Sequence, residues 1–215
     1  LHEAHSIGAF TGVSPLEMAG AYAAFSNGGY YNKPHAVEKI VFRQTGKEKV
    51  FKSKKKQVMS DATAYMITDT LLYAVEGTGN IGGTVPGVRL AAKTGTTNFD
   101  QNTKNTYGLP SSAINDLWVI GFNDSYSIGV WYGYDKNSSE YYNLLSSGQH
   151  ERLFQAVGHG MFTSDSGFTK PESVSEVAIE MECPTPILPS EYTPSDLIKT
   201  ELFVKGHEPS ETSPR

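Results

Sequence analysis

The chain has 215 residues, is 38% hydrophobic and 11% aromatic, and carries a formal net charge of -5, which excludes a disordered polymer and suffices for a substantial core. That acidic balance leaves no basic footprint for nucleic acid, because the one dense lysine run is short and lacks interleaved aromatics. No apolar run reaches the roughly 18 residues of a membrane span, and the single Cys183 excludes an internal disulfide and a thiolate metal site.

Leu1 to His5 lack the charged-then-apolar order of a signal sequence. His2-Glu3-Ala4-His5 is one residue short of the His-Glu-x-x-His that sets two imidazoles one helical turn apart, so no metal and no other cofactor is expected. Ser14-Pro15-Leu16-Glu17 combines a hydroxyl N-cap, a proline at the first helical position and a glutamate placed to close a capping box. The helix it opens should run to about Ser26, with Leu16, Ala19, Tyr22 and Ala23 near one face, and Gly28-Gly29 should supply a left-handed stop. Val37 to Val41 and Val50-Phe51, around Thr45-Gly46-Lys47, read as a small hairpin. The basic run Lys52 to Lys56 reads as a solvated connection.

Ser60-Asp61 caps a second helix, with Met66, Ile67, Thr70, Leu71, Ala74 and Val75 as its packing stripe and Gly77 as its stop. Gly77 to Gly87 is glycine-rich without a Gly-Lys-Ser/Thr ending, and reads as a turn or a rim rather than a phosphate loop. Three strands follow at Val88 to Thr97, Leu117 to Phe122 and Tyr126 to Tyr134, the last two joined by a hairpin at Asn123-Asp124-Ser125. Asn98 to Asn115 is polar and expected to be a loop over the site. His150 to Met161 should be a helix packing Leu153, Phe154, Val157 and Met161 on the sheet. After Pro171 the composition shifts, giving three expected segments: 1–170, a strand and tail extension over 171–207, and a disordered tail over 208–215.

The segment best suited to touch a substrate is Lys93-Thr94-Gly95-Thr96, preceded by Leu90-Ala91-Ala92 and followed by Thr97. In a strand, Thr94 and Thr96 share one side while Lys93 and Gly95 share the other. The edge then offers two hydroxyls and an ammonium, and the missing Gly95 side chain lets another polar group approach closely. Such an edge can hold a carboxylate.

These four residues resemble one of three signature motifs of the penicillin-recognising serine acyltransferases, the others being Ser-x-x-Lys and Ser-x-Asn. Several neighbours match in the right order: Gly12 to Ala19 with Ala21 to Phe25 and Asn27-Gly28-Gly29, then Glu76-Gly77-Thr78-Gly79, Asp116 to Phe122 and Val130 to Asp135. Together they resemble the later half of the transpeptidase domain of class A, Gram-positive-type penicillin-binding proteins. Ser-x-x-Lys occurs only at Ser53 to Lys56, and Ser-x-Asn is absent, so the chain is expected to begin inside a domain, with its nucleophile upstream.

The resemblance implies an α+β fold, an antiparallel β-sheet flanked by helices, of which this is the second half. It implies a peptidoglycan D,D-transpeptidase, part of a bifunctional glycosyltransferase, anchored upstream at the extracellular face of the bacterial membrane. Its partners would be stem peptides, β-lactams and the N-terminal part carrying the two missing motifs. Catalytic roles then fall to Lys93 and Thr96, and substrate binding to Thr94, Gly95, Thr96, Thr97 and Asn98. Lys93 is expected to face inward, shielded from solvent. Asp116 is expected to pair with a basic group, and Trp118, Trp131 and Tyr132 to pack. The alternatives are a D,D-carboxypeptidase or β-lactamase of the same fold, or a non-catalytic module that lost the nucleophile.

Overall fold

The computed structural model describes residue 3 and residues 12–77, 85–136, 138–140, 145–162 and 167–215. The His2–His5 metal-motif test and most of the glycine-rich stretch, residues 78–84, lie outside the described residues. Helix α1 (Pro15–Ser26) opens on the expected box: Ser14 N–H donates to Glu17 Oε2 at 2.9 Å, and Glu17 N–H donates to Ser14 Oγ at 3.3 Å. Gly29 ends the turn that follows, at φ +84°, where an added Cβ would lie 2.2 Å from the Met59 carbonyl oxygen. No other residue fits there.

Strand β1 (Tyr30–Asn32) pairs antiparallel with β4 (Lys55–Gln57). The basic run is thus partly a strand, not merely a connection. Its lysines remain exposed, and Lys55 Nζ sits 4.0 Å from the Tyr30 ring centroid, a cation–π contact that ties the two strands. The hairpin between them, β2 (Lys39–Val41) and β3 (Glu48–Val50), forms where the sequence places it.

Helix α2 (Asp61–Glu76) starts at Ser60, whose Oγ accepts from Thr63 N–H at 3.1 Å. Its buried face is Ala62, Ala64, Thr68, Leu72 and Val75, so the expected stripe is corrected: only Val75 of it is fully buried, and Thr70 is exposed. Small residues win the face because the helix seats closely on the sheet. The Thr68 hydroxyl, donating to Ala64 carbonyl at 2.8 Å, is buried without an unpaired polar group.

Strands β5 (Ala91–Asn98), β6 (Ile114–Phe122) and β7 (Ser127–Gly133) form one antiparallel sheet in the order β5-β6-β7. Buried Asn123 shapes the β6–β7 turn, its Oδ1 accepting from Ser125 and Tyr126 N–H at 2.9 and 2.7 Å. Helices α1 and α2 cover one face, where a Cβ on Gly129 would meet the Pro15 carbonyl at 2.7 Å. Helix α4 (Gln149–Met161) covers the other, where a Cβ on Gly121 would meet Phe154 Cζ at 2.4 Å. The core follows these faces: Ala92, Val119, Val130, Phe154 and Phe162 in one cluster, Ala91, Phe122 and Leu72 in another with Tyr22 and Phe25 packed on it. This is the expected α+β arrangement of helices on an antiparallel sheet.

Two helical expectations are corrected. Residues 98–115 are no simple loop: α3 (Gln101–Tyr107) is capped by Asp100, which accepts from Thr103 N–H at 2.9 Å, and closed by left-handed Gly108. In α4 the sheet-facing residues are His150, Phe154 and Gly158, spaced four apart, while Leu153, Val157 and Met161 are exposed. Gly158 belongs to that face because a Cβ there would crowd Val85 at 2.6 Å.

Strands β8 (Val174–Glu180) and β9 (Ile198–Val204) form a separate antiparallel ribbon. The tail over 208–215, expected to be disordered, is built onto it. Leu188 bridges Thr212, Leu188 N–H donates to Glu211 carbonyl at 2.8 Å, and Arg215 Nε lies 2.8 Å from buried Glu180 Oε1. Sparse apolar residues hid this, since polar groups do the fastening. No helix among the described residues is long and apolar enough to cross a membrane.

Candidate active site

Burial along β5 divides the strand. Leu90, Ala91 and Ala92 are fully buried, Thr94 and Gly95 are half-buried, and Lys93, Thr96, Thr97 and Asn98 are exposed. The apolar end is pinned in the core and the polar end projects along the sheet margin. Because β5 has β6 on one side and no described strand on the other, its outer edge presents backbone N–H and C=O groups to whatever approaches. An extended substrate meets a ready pairing edge.

Register distributes the side chains. Ala92, Thr94 and Thr96 line up with Gly121, Val119 and Leu117, which places both hydroxyls on the face covered by α4. Lys93, Gly95 and Thr97 line up with Ile120, Trp118 and Asp116, on the face of α1 and α2. A ligand therefore meets hydroxyls and ammonium together only along the edge. Lys93 departs from expectation here: it is exposed, and its Nζ donates to the neighbouring Thr94 carbonyl at 2.8 Å. Although α2 packs along β5, it leaves the Lys93 ammonium in water.

Gly95 is informative through what it does not explain. Its φ is not positive, and an added Cβ would meet only Trp118 Cβ at 3.5 Å, an ordinary contact. Among the described residues neither backbone nor packing requires glycine, and its bare surface is open to close approach by another molecule or segment. Trp118 and Trp131 stand opposite one another in the same row, half-buried rather than sealed in the core. They give this face of the edge an aromatic floor; in the sequence, only strict alternation from Gly95 could have pointed to it.

The far end is bent. The β5–β6 register slips between Thr97 and Asn98, leaving Asn115 as an extra residue, a bulge of the kind that re-aims side chains beside sites. Asp116 Oδ2 accepts from Asn115 Nδ2 at 2.8 Å, instead of pairing with a basic group. Asp100, at the start of α3, is held below the usual carboxylate range by its hydrogen bonds from the Thr103 hydroxyl and N–H. It stays ionised and fixes the α3 rim beyond Asn98. Among the described residues no three His, Cys, Asp or Glu side chains gather as a metal site.

Comparison with known proteins adds a second line. A family model described as the penicillin binding protein transpeptidase domain matches residues 3–155, and one described as the penicillin-binding protein 1A C-terminal domain matches residues 170–215. Penicillin-binding protein 1A/1B of Bacillus subtilis is 43% identical over 98% of this chain and 24% of its own length. Penicillin-binding protein 1A of Streptococcus oralis is 40% identical over 57% of the chain and 19% of its own length. Among solved structures, penicillin-binding protein 1A from Haemophilus influenzae superposes with a TM-score of 0.64 at 21% identity, covering 94% of this chain and 33% of that one. The chain thus spans a quarter or less of the curated relatives described here.

Proposed function

This chain belongs to the penicillin-binding protein transpeptidase family, and from that premise we propose that its β5 edge is one wall of a D,D-transpeptidase site. A serine of a Ser-x-x-Lys segment upstream attacks the carbonyl carbon between two D-alanines of a stem peptide. The C–N bond breaks, terminal D-alanine leaves as the amine, and an acyl ester forms. An amine of a second stem peptide then attacks that ester and releases the serine, so one hard amide exchange becomes two easier steps.

In this reading the Thr94 and Thr96 hydroxyls donate to the terminal carboxylate of the substrate or of a β-lactam, bonds strengthened by its charge. Thr96 N–H supplies one oxyanion donor, and Thr97 and Asn98 extend the groove toward the bulge. Gly95 leaves room for the peptide. Lys93 turns from water to orient a hydroxyl of the Ser-x-Asn loop once that segment covers it. The long polypeptide would pair this domain with a glycosyltransferase and hold it at the outer face of the cytoplasmic membrane, with residues 171–215 as an appended module.

The observation that carries the proposal is the open edge itself: a strand pinned by Leu90 to Ala92 whose next residues are polar, accessible and built around a glycine the fold does not need. The test uses the longer polypeptide that includes the nucleophile segment. Lys93→Ala should slow acylation by a fluorescent penicillin by roughly 10²-fold or more, the scale of a positioned proton-transfer group, with the melting temperature unchanged. Equal labelling would remove Lys93 from the site.

A further inference from the structure

Charge is strongly segregated in this acidic chain. Residues 33–56 hold nine of the 18 basic residues but only two of the 23 acidic ones, Glu38 and Glu48. The rest of the chain therefore carries nine basic against 21 acidic residues. All nine cations of the segment are exposed, and Lys39–Glu48, at 2.9 Å, is its one ion pair among the described residues.

The same segment shows apolar side chains to solvent. Strands β2 and β3 pair only with one another, and every residue of both is exposed. On one side of the hairpin, register and backbone bonds place Phe51 opposite Glu38, Ile40 opposite Lys49 and Phe42 opposite Lys47. Ile40, Phe42 and Phe51 are 40%, 51% and 37% exposed, with Lys49 Nζ 5.1 Å from the Phe51 ring centroid. Lysines thus alternate with apolar groups across one open face.

We propose that this hairpin docks on an anionic phospholipid surface, its lysines and Arg43 meeting phosphate headgroups while Ile40, Phe42 and Phe51 enter the headgroup–acyl boundary. Complementary charge supplies attraction, and burial of the apolar side chains supplies the part that survives salt. The apolar groups favour a lipid surface over a soluble polyanion, which would leave them wet. The acidic remainder of the chain is repelled by such a surface, so the molecule meets it hairpin first. Nothing here depends on acyl transfer, and the two readings fail separately.

Co-sedimentation of the full chain with phosphatidylcholine vesicles, with and without about 30 mol% phosphatidylglycerol, tests this. Binding should be at least tenfold or so tighter to the anionic vesicles and fall steeply with added salt. Lys47→Glu with Lys49→Glu should abolish most of it, and Phe42→Ser should weaken it severalfold at any salt concentration, with unchanged melting temperatures. The wild-type salt titration keeps the test decisive should a variant misfold. Equal binding to neutral vesicles would overturn the proposal. So would full retention by Phe42→Ser together with equal capture by soluble poly(glycerol phosphate), or a charge-dependent self-association that replaces vesicle binding.

Discussion

The three-stranded sheet and the β8–β9 ribbon share antiparallel pairing but are fastened by opposite chemistry. Between the sheet and α4 lie Ala92, Val119, Val130, Phe154 and Phe162, all nearly inaccessible and apolar. Besides the backbone bonds of Leu188, the ribbon's tail is fastened through a carboxylate, Glu180, which is 2% exposed and receives Thr193 Oγ1 at 2.6 Å and Arg215 Nε at 2.8 Å, with Ser213 and the Cys183 thiol nearby. An apolar core spreads its stabilisation over many contacts and depends on protons only where a titratable group such as His150 is buried beside it. A polar clasp concentrates it on one group whose charge can change. The β5 edge sits on the first kind of support, which suits the proposed role of a strand that holds its place while a substrate pairs beside it.

Removing the central aromatic ring tests the sheet half most severely. Phe154→Ala leaves a cavity against Gly121 and Phe162 and should cost about 3–5 kcal/mol, lowering the melting temperature by roughly 6–20 °C for a chain of this size. Calorimetry measures it, and limited proteolysis should find the β8–β9 ribbon still protected below the new transition. If the ribbon loses protection together with the sheet, the two regions are one cooperative unit and the contrast fails.

How much of this was legible follows the same divide. Local signals read well: the Ser14 box, the Ser60 cap, the Gly46 hairpin and the alternation that puts Thr94 and Thr96 on one face are properties of a few adjacent residues. The burial of Phe154 rather than Leu153 or Val157 was hidden, because the rotation of a helix about its axis is chosen by its partner, here the notch at Gly121. Lys93 differs for a related reason: following Leu-Ala-Ala suggests burial, but exposure depends on how neighbouring elements flank the strand, which its local sequence does not encode. The tail was missed because hydrogen bonds to a distant Glu180 leave no hydrophobic pattern. Short polar α3 lacked an apolar stripe, although Asp100 with Thr103 and Gly108 carried both of its caps.

Acid should separate the regions in sequence. Burial pushes the His150 imidazole, at the start of α4, below its ordinary value of 6.5, partly opposed by the nearby Glu151 charge. The unfolded chain then takes up a proton first, so the stability contributed by neutral His150 is complete above 6.5 and declines as pH falls toward its lower folded value. Glu180 titrates later. The Thr193 hydroxyl leads the groups, with Ser213, Arg215 and Cys183, that outweigh burial and hold its carboxyl below 4.5, so the clasp is intact above 4.5 and weakens below it. Hydrogen exchange should therefore loosen the first turn of α4 before the amides of Leu188 and Ser213. His150→Gln should erase the first step alone, and simultaneous loosening of both regions would contradict the assignment.

The smallest effect belongs to the cap that seats α1 on the sheet. Ser14→Ala removes the Oγ that accepts from Glu17 N–H and the hydroxyl donating to Glu17 Oε2 at 2.8 Å, which should cost about 1 kcal/mol and roughly 2–4 °C in melting temperature. Both groups are exposed, so water replaces part of what is lost. Ser14 N–H, the largest of the influences holding the Glu17 carboxyl below its ordinary value, remains. Ser14→Thr should recover most of the loss, because its hydroxyl accepts from the same Glu17 N–H and still donates to the Glu17 carboxylate. The position matters more than its magnitude suggests, since the Pro15 carbonyl lies where a Gly129 side chain would be. Fraying of the first turn of α1 would loosen its contact with β7 while Tyr22 and Phe25, further along the helix, still pack on the Ala91–Phe122 cluster, so, on the proposed function, penicillin acylation of the longer polypeptide should persist at temperatures below the lowered transition.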